Sequence, residues 1–281
     1  MAKSLAARSG EMVYPVSYAH SNRVSPGLLN GHRAETLAER VESEVESGRT
    51  SFAIIPFFLS GGGGIMKMVA REATLLQATH PQIEIYRTPF LFDLSRRPEN
   101  ILARVLVERV LEVVDREGWS HASVVVVDHG SPYPEAAMVR NIIGGQVALL
   151  LAEDSRIRSV RIASMERREG PLYSFNDPLL VDELANLSNL EQPVVVAQFF
   201  LGDGKHAGRD GDISRIIGGV PTLKRCVQTG PMGDHPLLID QLVKLMQMDQ
   251  TRLLLQFCQI ADRERCPCAR RRTDPKTQGK G

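Results

Sequence analysis

Cysteine is scarce in this chain: there are 4, and three of them, Cys258, Cys266 and Cys268, crowd the carboxyl end. That distribution excludes a spaced disulfide framework and fits a reducing compartment. An excess of either charge is also missing, since 34 basic side chains meet 33 acidic ones for a formal charge of +1. No global field draws the chain to nucleic acid or to an anionic membrane, so attraction for an acidic ligand must be local. Long apolar runs are absent too. No uncharged stretch reaches the ~18 residues that span a bilayer, and MAKSLAARSG at the amino end has no apolar core after its lysine. The expectation is a soluble, cytoplasmic protein with neither nucleic acid nor membrane as partner; self-association is left open.

What is present is ordinary globular material: 43% hydrophobic and 24% charged residues over 281 positions, enough for one large domain or two. Short β-branched runs alternate with segments of helical period. The strands are expected at Val13 to Ala19, Ser51 to Leu59, Ile83 to Thr88, Ala122 to Val127, Val160 to Ser164, Val194 to Leu201 and Leu223 to Gln228. Between them RAETLAERVESEVES and PENILARVLVERVLEVV space apolar residues three and four apart, as amphipathic helices do. Strand and helix in repetition predict an α/β fold with parallel sheets covered on both faces. The four valines of VVVVDHGSPYPEAA (124–137) fit a strand buried on both sides, and His129 falls at its carboxyl end, where such sheets place ligands.

The two halves resemble each other. YAHSN (18–22) matches VDHGS (127–131) at an offset of 109, and PFFLSGGGG (56–64) matches QFFLGDGKH (198–206) at an offset of 142. The 33-residue difference is about one strand-plus-helix unit, missing from the first half. Two related lobes are expected: 1–118, shortened and degenerate, and 119–252, followed by a basic tail at 253–281. Gly64 stands where the second lobe has His206, so that lobe keeps two strand-end histidines, His129 and His206, against His20 alone in the first. Chemistry is expected in the second lobe.

His129 and His206 with Glu166, which follows the strand VRIASM, form a nitrogen and oxygen donor set suited to a borderline divalent metal. Three protein ligands leave positions open for transfer. Taken singly, each residue reads more readily as a hydrogen-bonded or solvated loop residue than as a ligand; their recurrence at three strand ends of one lobe is the signal. SGGGG lacks the Gly-Lys-Ser/Thr of a P-loop and the spacing of a dinucleotide fingerprint, so it reads as a tight turn or as a place where a ligand approaches the backbone. Asp128, His129 and Ser131 are too close in sequence to form a hydrolase triad.

Four ordered pieces carry a family resemblance: VVVVDHGSPYPEA, ASMERREGPL, QFFLGDGKHAGRDGDISRI and TGPMGDHPLLIDQL. Residues 120–248 resemble the sirohydrochlorin chelatases, the cobalt- or iron-inserting members of the class II chelatase superfamily that includes ferrochelatase. The resemblance implies two flavodoxin-like, doubly wound lobes facing a tetrapyrrole cleft. It also implies a lyase-type activity that inserts Co2+ or Fe2+ into sirohydrochlorin for cobalamin or siroheme biosynthesis. His129, Glu166 and His206 would bind the incoming metal and accept pyrrole protons. His20, Ser131, Gly202, Gly204 and Arg209 would contact substrate, with Lys205, Arg140, Arg167 and Arg168 as further partners for its carboxylates. The sequence departs from the family at Gly64, at Ser21-Asn22 in place of Gly-Ser, and at Gln198 in place of a proline. A non-catalytic metal- or tetrapyrrole-binding protein of the same fold is the alternative. Cys258, Cys266 and Cys268 match no standard zinc or ferredoxin spacing, so an iron-sulfur cluster is not expected.

Overall fold

The computed structural model of the chain describes residues 1–18, 24–29, 31–59, 64–92, 101–190 and 192–248. Its described strands pair in parallel throughout, as β-branched runs separated by amphipathic helices require. No described helix is long and apolar enough to cross a membrane. Contacts divide the chain into two units. One comprises Ala2–Pro56, Gly63–Phe90 and the chain from Leu242; the other comprises Leu91–Gln241 with Phe57–Gly62.

The first unit contains α1 (Ala2–Ser9), α2 (Leu37–Glu46), β1 (Ser51–Ile54), α3 (Gly64–Thr79) and β2 (Glu84–Arg87). Thr36 starts α2: its hydroxyl accepts from the Glu39 amide at 3.2 Å, and the Glu39 carboxylate accepts from the Thr36 amide at 2.9 Å. The strands β1 and β2 pair from Ser51 opposite Glu84 to Ile54 opposite Arg87. β1 stops short of the expected Leu59, two residues before Pro56, which has no amide to donate. The expected strand from Val13 does not form among the described residues. Pro15 interrupts the run, Met12, Tyr14 and Val16 are exposed, and Ser17 makes an isolated bridge to Thr36. Ala19 lies outside the described residues.

The second unit runs through α4 (Ile101–Glu117), β3 (Ala122–Asp128), α5 (Pro134–Leu151), β4 (Ile157–Ser164), a 3-10 turn (Pro171–Asn176) and α6 (Leu180–Ser188). It continues with β5 (Val194–Gln198), α7 (Gly204–Ala207), α8 (Asp212–Gly218) and β6 (Cys226–Gln228), after which α9 spans Pro236–Met246. The sheet order is β4-β3-β5-β6. The expected boundary near Gly118 separates α4 from α5 and β5, on which it packs and with which contacts group it.

All seven residues of β3 are buried. Val125 and Val127 face a cluster with Val194, Val196, Leu180, Leu184 and Ile213, and strand alternation turns Val124 and Val126 to the side covered by α4 and α5. Burial of each such side chain stabilises the fold by roughly 1.5–3 kcal/mol. From β3 the chain passes through α5 to β4 on one side, then through α6 to β5 on the other. The connections diverge at β3, and that point is where open α/β sheets leave a crevice beyond the carboxyl ends of their strands.

Candidate functional site

His129 is the first residue after β3, Glu166 follows β4 by two residues, and His206 lies in α7 beyond β5. All three stand at the carboxyl edge of the sheet, and the structure brings them together. The Met165 amide donates to the Asp128 carbonyl at 2.7 Å and the Glu166 amide to the His129 carbonyl at 3.2 Å, so the ladder of β3 and β4 continues into the two loops. Gly130 permits this closeness. Its φ is 86°, and a Cβ there would stand 1.9 Å from the Glu166 carbonyl oxygen.

The imidazoles of His129 and His206 meet edge to face, with centroids 4.5 Å apart and planes at 72°. His129 Nδ1 lies 3.0 Å from the Gly130 carbonyl oxygen, which can only accept, so this nitrogen carries the proton. Its Nε2 is then a lone pair, 3.5 Å from Glu166 Oε1. Two electron-rich atoms at that separation are suited to a metal cation between them. His206 Nδ1 donates to Asp212 Oδ2 at 2.6 Å, which leaves its Nε2 open as well. Asp212 also accepts from Arg215 at 2.8 Å. The hydrogen bond from His206, with the nearby Lys205 charge, holds its carboxyl below the ordinary range. A carboxylate behind an imidazole fixes its tautomer and ring orientation. The side chains of His129, Glu166 and His206 are 45%, 63% and 31% exposed, so each can meet a ligand. Among the described residues no three such side chains are already drawn up as a metal cage. These three are neighbours with open donor atoms rather than a closed site.

Beneath His129 lies a buried polar network. Arg140 on α5 pairs with Asp128 at 3.4 Å and donates to the carbonyls of Asn176 at 3.2 Å and Phe175 at 3.1 Å, and to the Ser164 hydroxyl. Ser164 in turn donates to Asp128 at 2.8 Å. Burial raises the Asp128 carboxyl, while the Arg140 charge acts in the opposite direction. Arg140 is 1% exposed and committed inside the protein, so its expected contact with substrate carboxylates is corrected.

The other expected contacts are scattered in kind. His20 lies outside the described residues. The Ser131 hydroxyl accepts from the Tyr133 amide at 3.0 Å and so shapes its own loop. Gly202 and Gly204 are exposed, and a Cβ at either would meet nothing within 4 Å. Lys205 and Arg209 are exposed beside His206. Arg167 is paired with Asp177 at 2.8 Å, and Arg168 lies over the Tyr173 ring at 5.7 Å. Gln198 is engaged within the fold: its amide donates to Thr229 Oγ1 at 3.0 Å and its side chain to the Thr229 carbonyl at 2.6 Å. His235 is a buried structural histidine, held by Glu108 at 3.2 Å and by the Leu237 amide at 3.3 Å. A groove of about 620 Å³ runs between α5 and the 3-10 turn, lined by Met138, Ile142, Phe175 and Asp177 among others, and includes none of the three candidate ligands. Burial pushes the Cys226 thiol up to about 12, which leaves it protonated and inert; the remaining cysteines lie outside the described residues.

Comparison with known proteins yields no matching family model and no match among curated proteins. Solved structures share the fold. SirB from Bacillus subtilis with Fe3+ superposes with a TM-score of 0.63 at 14% identity, over 91% of this chain and 89% of that one. The sirohydrochlorin chelatase SirB from Bacillus subtilis subspecies spizizenii in complex with cobalt gives a TM-score of 0.56 at 14% identity, over 91% and 92%. The chain has a chelatase-like α/β fold.

Proposed function

We propose that this chain is a metal chelatase that inserts a divalent ion, cobalt or ferrous iron, into sirohydrochlorin or a similarly acidic tetrapyrrole on the way to cobalamin or siroheme. One observation carries the reading: two imidazoles are engaged through Nδ1, each keeps Nε2 as a lone pair, and a carboxylate stands 3.5 Å from one of them. The cobalt and Fe3+ bound to the two SirB structures support a reaction that handles metal.

Insertion removes water from the metal and exchanges two pyrrole N–H protons for one divalent ion, so charge is conserved. His129 and His206 offer the nitrogen donors that replace that water, and because imidazole binds without a net charge it can release the ion again. Glu166, the most exposed of the three, accepts one pyrrole proton for release to solvent, and a histidine Nε2 vacated by the departing ion accepts the other. Arg209 and Lys205 meet substrate carboxylates, Ser131, Gly202 and Gly204 border the macrocycle, and His20 adds to substrate binding. The test is to mix the protein with sirohydrochlorin and Co2+ or Fe2+ and follow the tetrapyrrole absorption spectrum. Insertion above the spontaneous rate is expected. Binding of both partners without acceleration would mark a carrier instead.

A further inference from the structure

We infer that Arg140 is a positioning residue whose buried guanidinium sets the separation of the His129 and Glu166 loops. Its consequence for metal rests on the chelatase reading; its consequence for the loops does not. An arginine that is 1% exposed is costly unless its donors are matched. Here Nε donates to Asn141 Oδ1 at 3.0 Å, and the two terminal nitrogens reach Asp128, Ser164 and the carbonyls of Phe175 and Asn176.

Where those acceptors sit is informative. Asp128 immediately precedes His129, and its carboxylate accepts from the Gly130 amide at 3.2 Å. Ser164 ends β4, two residues before Glu166. Asn176 clasps the histidine loop from the far side, accepting from the Ser131 amide at 3.0 Å and donating to the Ser131 carbonyl at 2.9 Å. One planar fork thus touches the end of β3, the end of β4 and the turn that grips Ser131. A simple charge pair needs Asp128 alone. The added bonds to loop carbonyls fix distances between segments, a task for a rigid five-donor fork and not for a lysine point charge. His206 stands outside the network and serves as an internal control.

Two variants test the inference. Arg140→Lys keeps the charge opposite Asp128 and loses the fork; Asp128→Asn/Arg140→Met removes both charges and keeps the volume. Amide hydrogen exchange is measured without metal, then Co2+ is titrated under anaerobic conditions. In both variants Val125 and Val196 should stay protected as in the native protein, while the Ser131 and Glu166 amides exchange at least ~10-fold faster. Co2+ should bind roughly 10–100-fold more weakly, with altered d–d absorption. Native exchange at Ser131 and Glu166 in either folded variant overturns the inference. Failure of both variants to fold would make Arg140 a folding residue and overturn it as well. If the native chain binds no Co2+, the chelatase reading falls, and the exchange rates still decide the role of Arg140.

Discussion

His129 and His206 follow neighbouring strands of one sheet, yet different physics holds them. The His129 loop is bonded backbone to backbone with the end of β4 and rests on a buried ion pair. The His206 ring sits on a single helical turn and is oriented by Asp212, which shares its charge with Arg215 in solvent. In the low dielectric of the interior a matched network is strong and unforgiving, whereas an exposed pair is screened and adjustable. A site of this kind joins one donor whose backbone is held by a buried network to one whose ring is held by a carboxylate, and neither half is apparent from the word histidine.

The largest effect that would sharpen this contrast is expected at glycines. Gly130→Ala forces a Cβ against the Glu166 carbonyl at positive φ and should cost about 2–4 kcal/mol in urea unfolding, whereas Gly204→Ala, with φ 38° and open space, should cost about 1 kcal/mol. Equal losses would erase the distinction between the loops. Next, His129→Ala and His206→Ala should each abolish most Co2+ binding and insertion while leaving stability within about 0.5 kcal/mol, because side chains 45% and 31% exposed carry little packing. A loss above 2 kcal/mol in either would mark that histidine as structural. Asp212→Asn should weaken Co2+ binding by roughly 10-fold without changing the melting temperature; an unchanged affinity would show that the carboxylate does not orient His206. The smallest effects belong outside the described residues. His20→Ala should lower turnover modestly through substrate binding, with Co2+ affinity unchanged, and replacing Cys266 and Cys268 with serine should leave insertion intact.

Much of the second unit was legible because its signals are local. β-branched runs bounded by polar turns marked β3, β4 and β5, and polar residues stranded at their ends marked His129, Glu166 and His206. The strand from Val13 was misread because its β-branched spacing suggested a ladder that Pro15 and an exposed setting deny it. The period of α4 shows that it is amphipathic and not which sheet it covers, so its packing on α5 and β5 is visible only in the folded chain. Arg140 reads in sequence as a partner for substrate carboxylates because its burial depends on Asp128, Ser164 and Asn176, which only the folded chain brings together. Asp212 carried a faint signal, a carboxylate six residues after His206 on the next helix, within reach of its ring. Nothing in the one-dimensional pattern separates that from an ordinary helix-start aspartate.

The central claim is that His129 and His206 act together on a metal bound for a tetrapyrrole. It is tested most directly by the initial rate of sirohydrochlorin's spectral change with Co2+, compared between the native protein and the His129→Ala/His206→Ala double variant at matched fold. The account predicts a native rate well above the spontaneous one and a double variant that falls to the spontaneous rate. A folded double variant as fast as the native protein, or a native protein no faster than buffer, would contradict it.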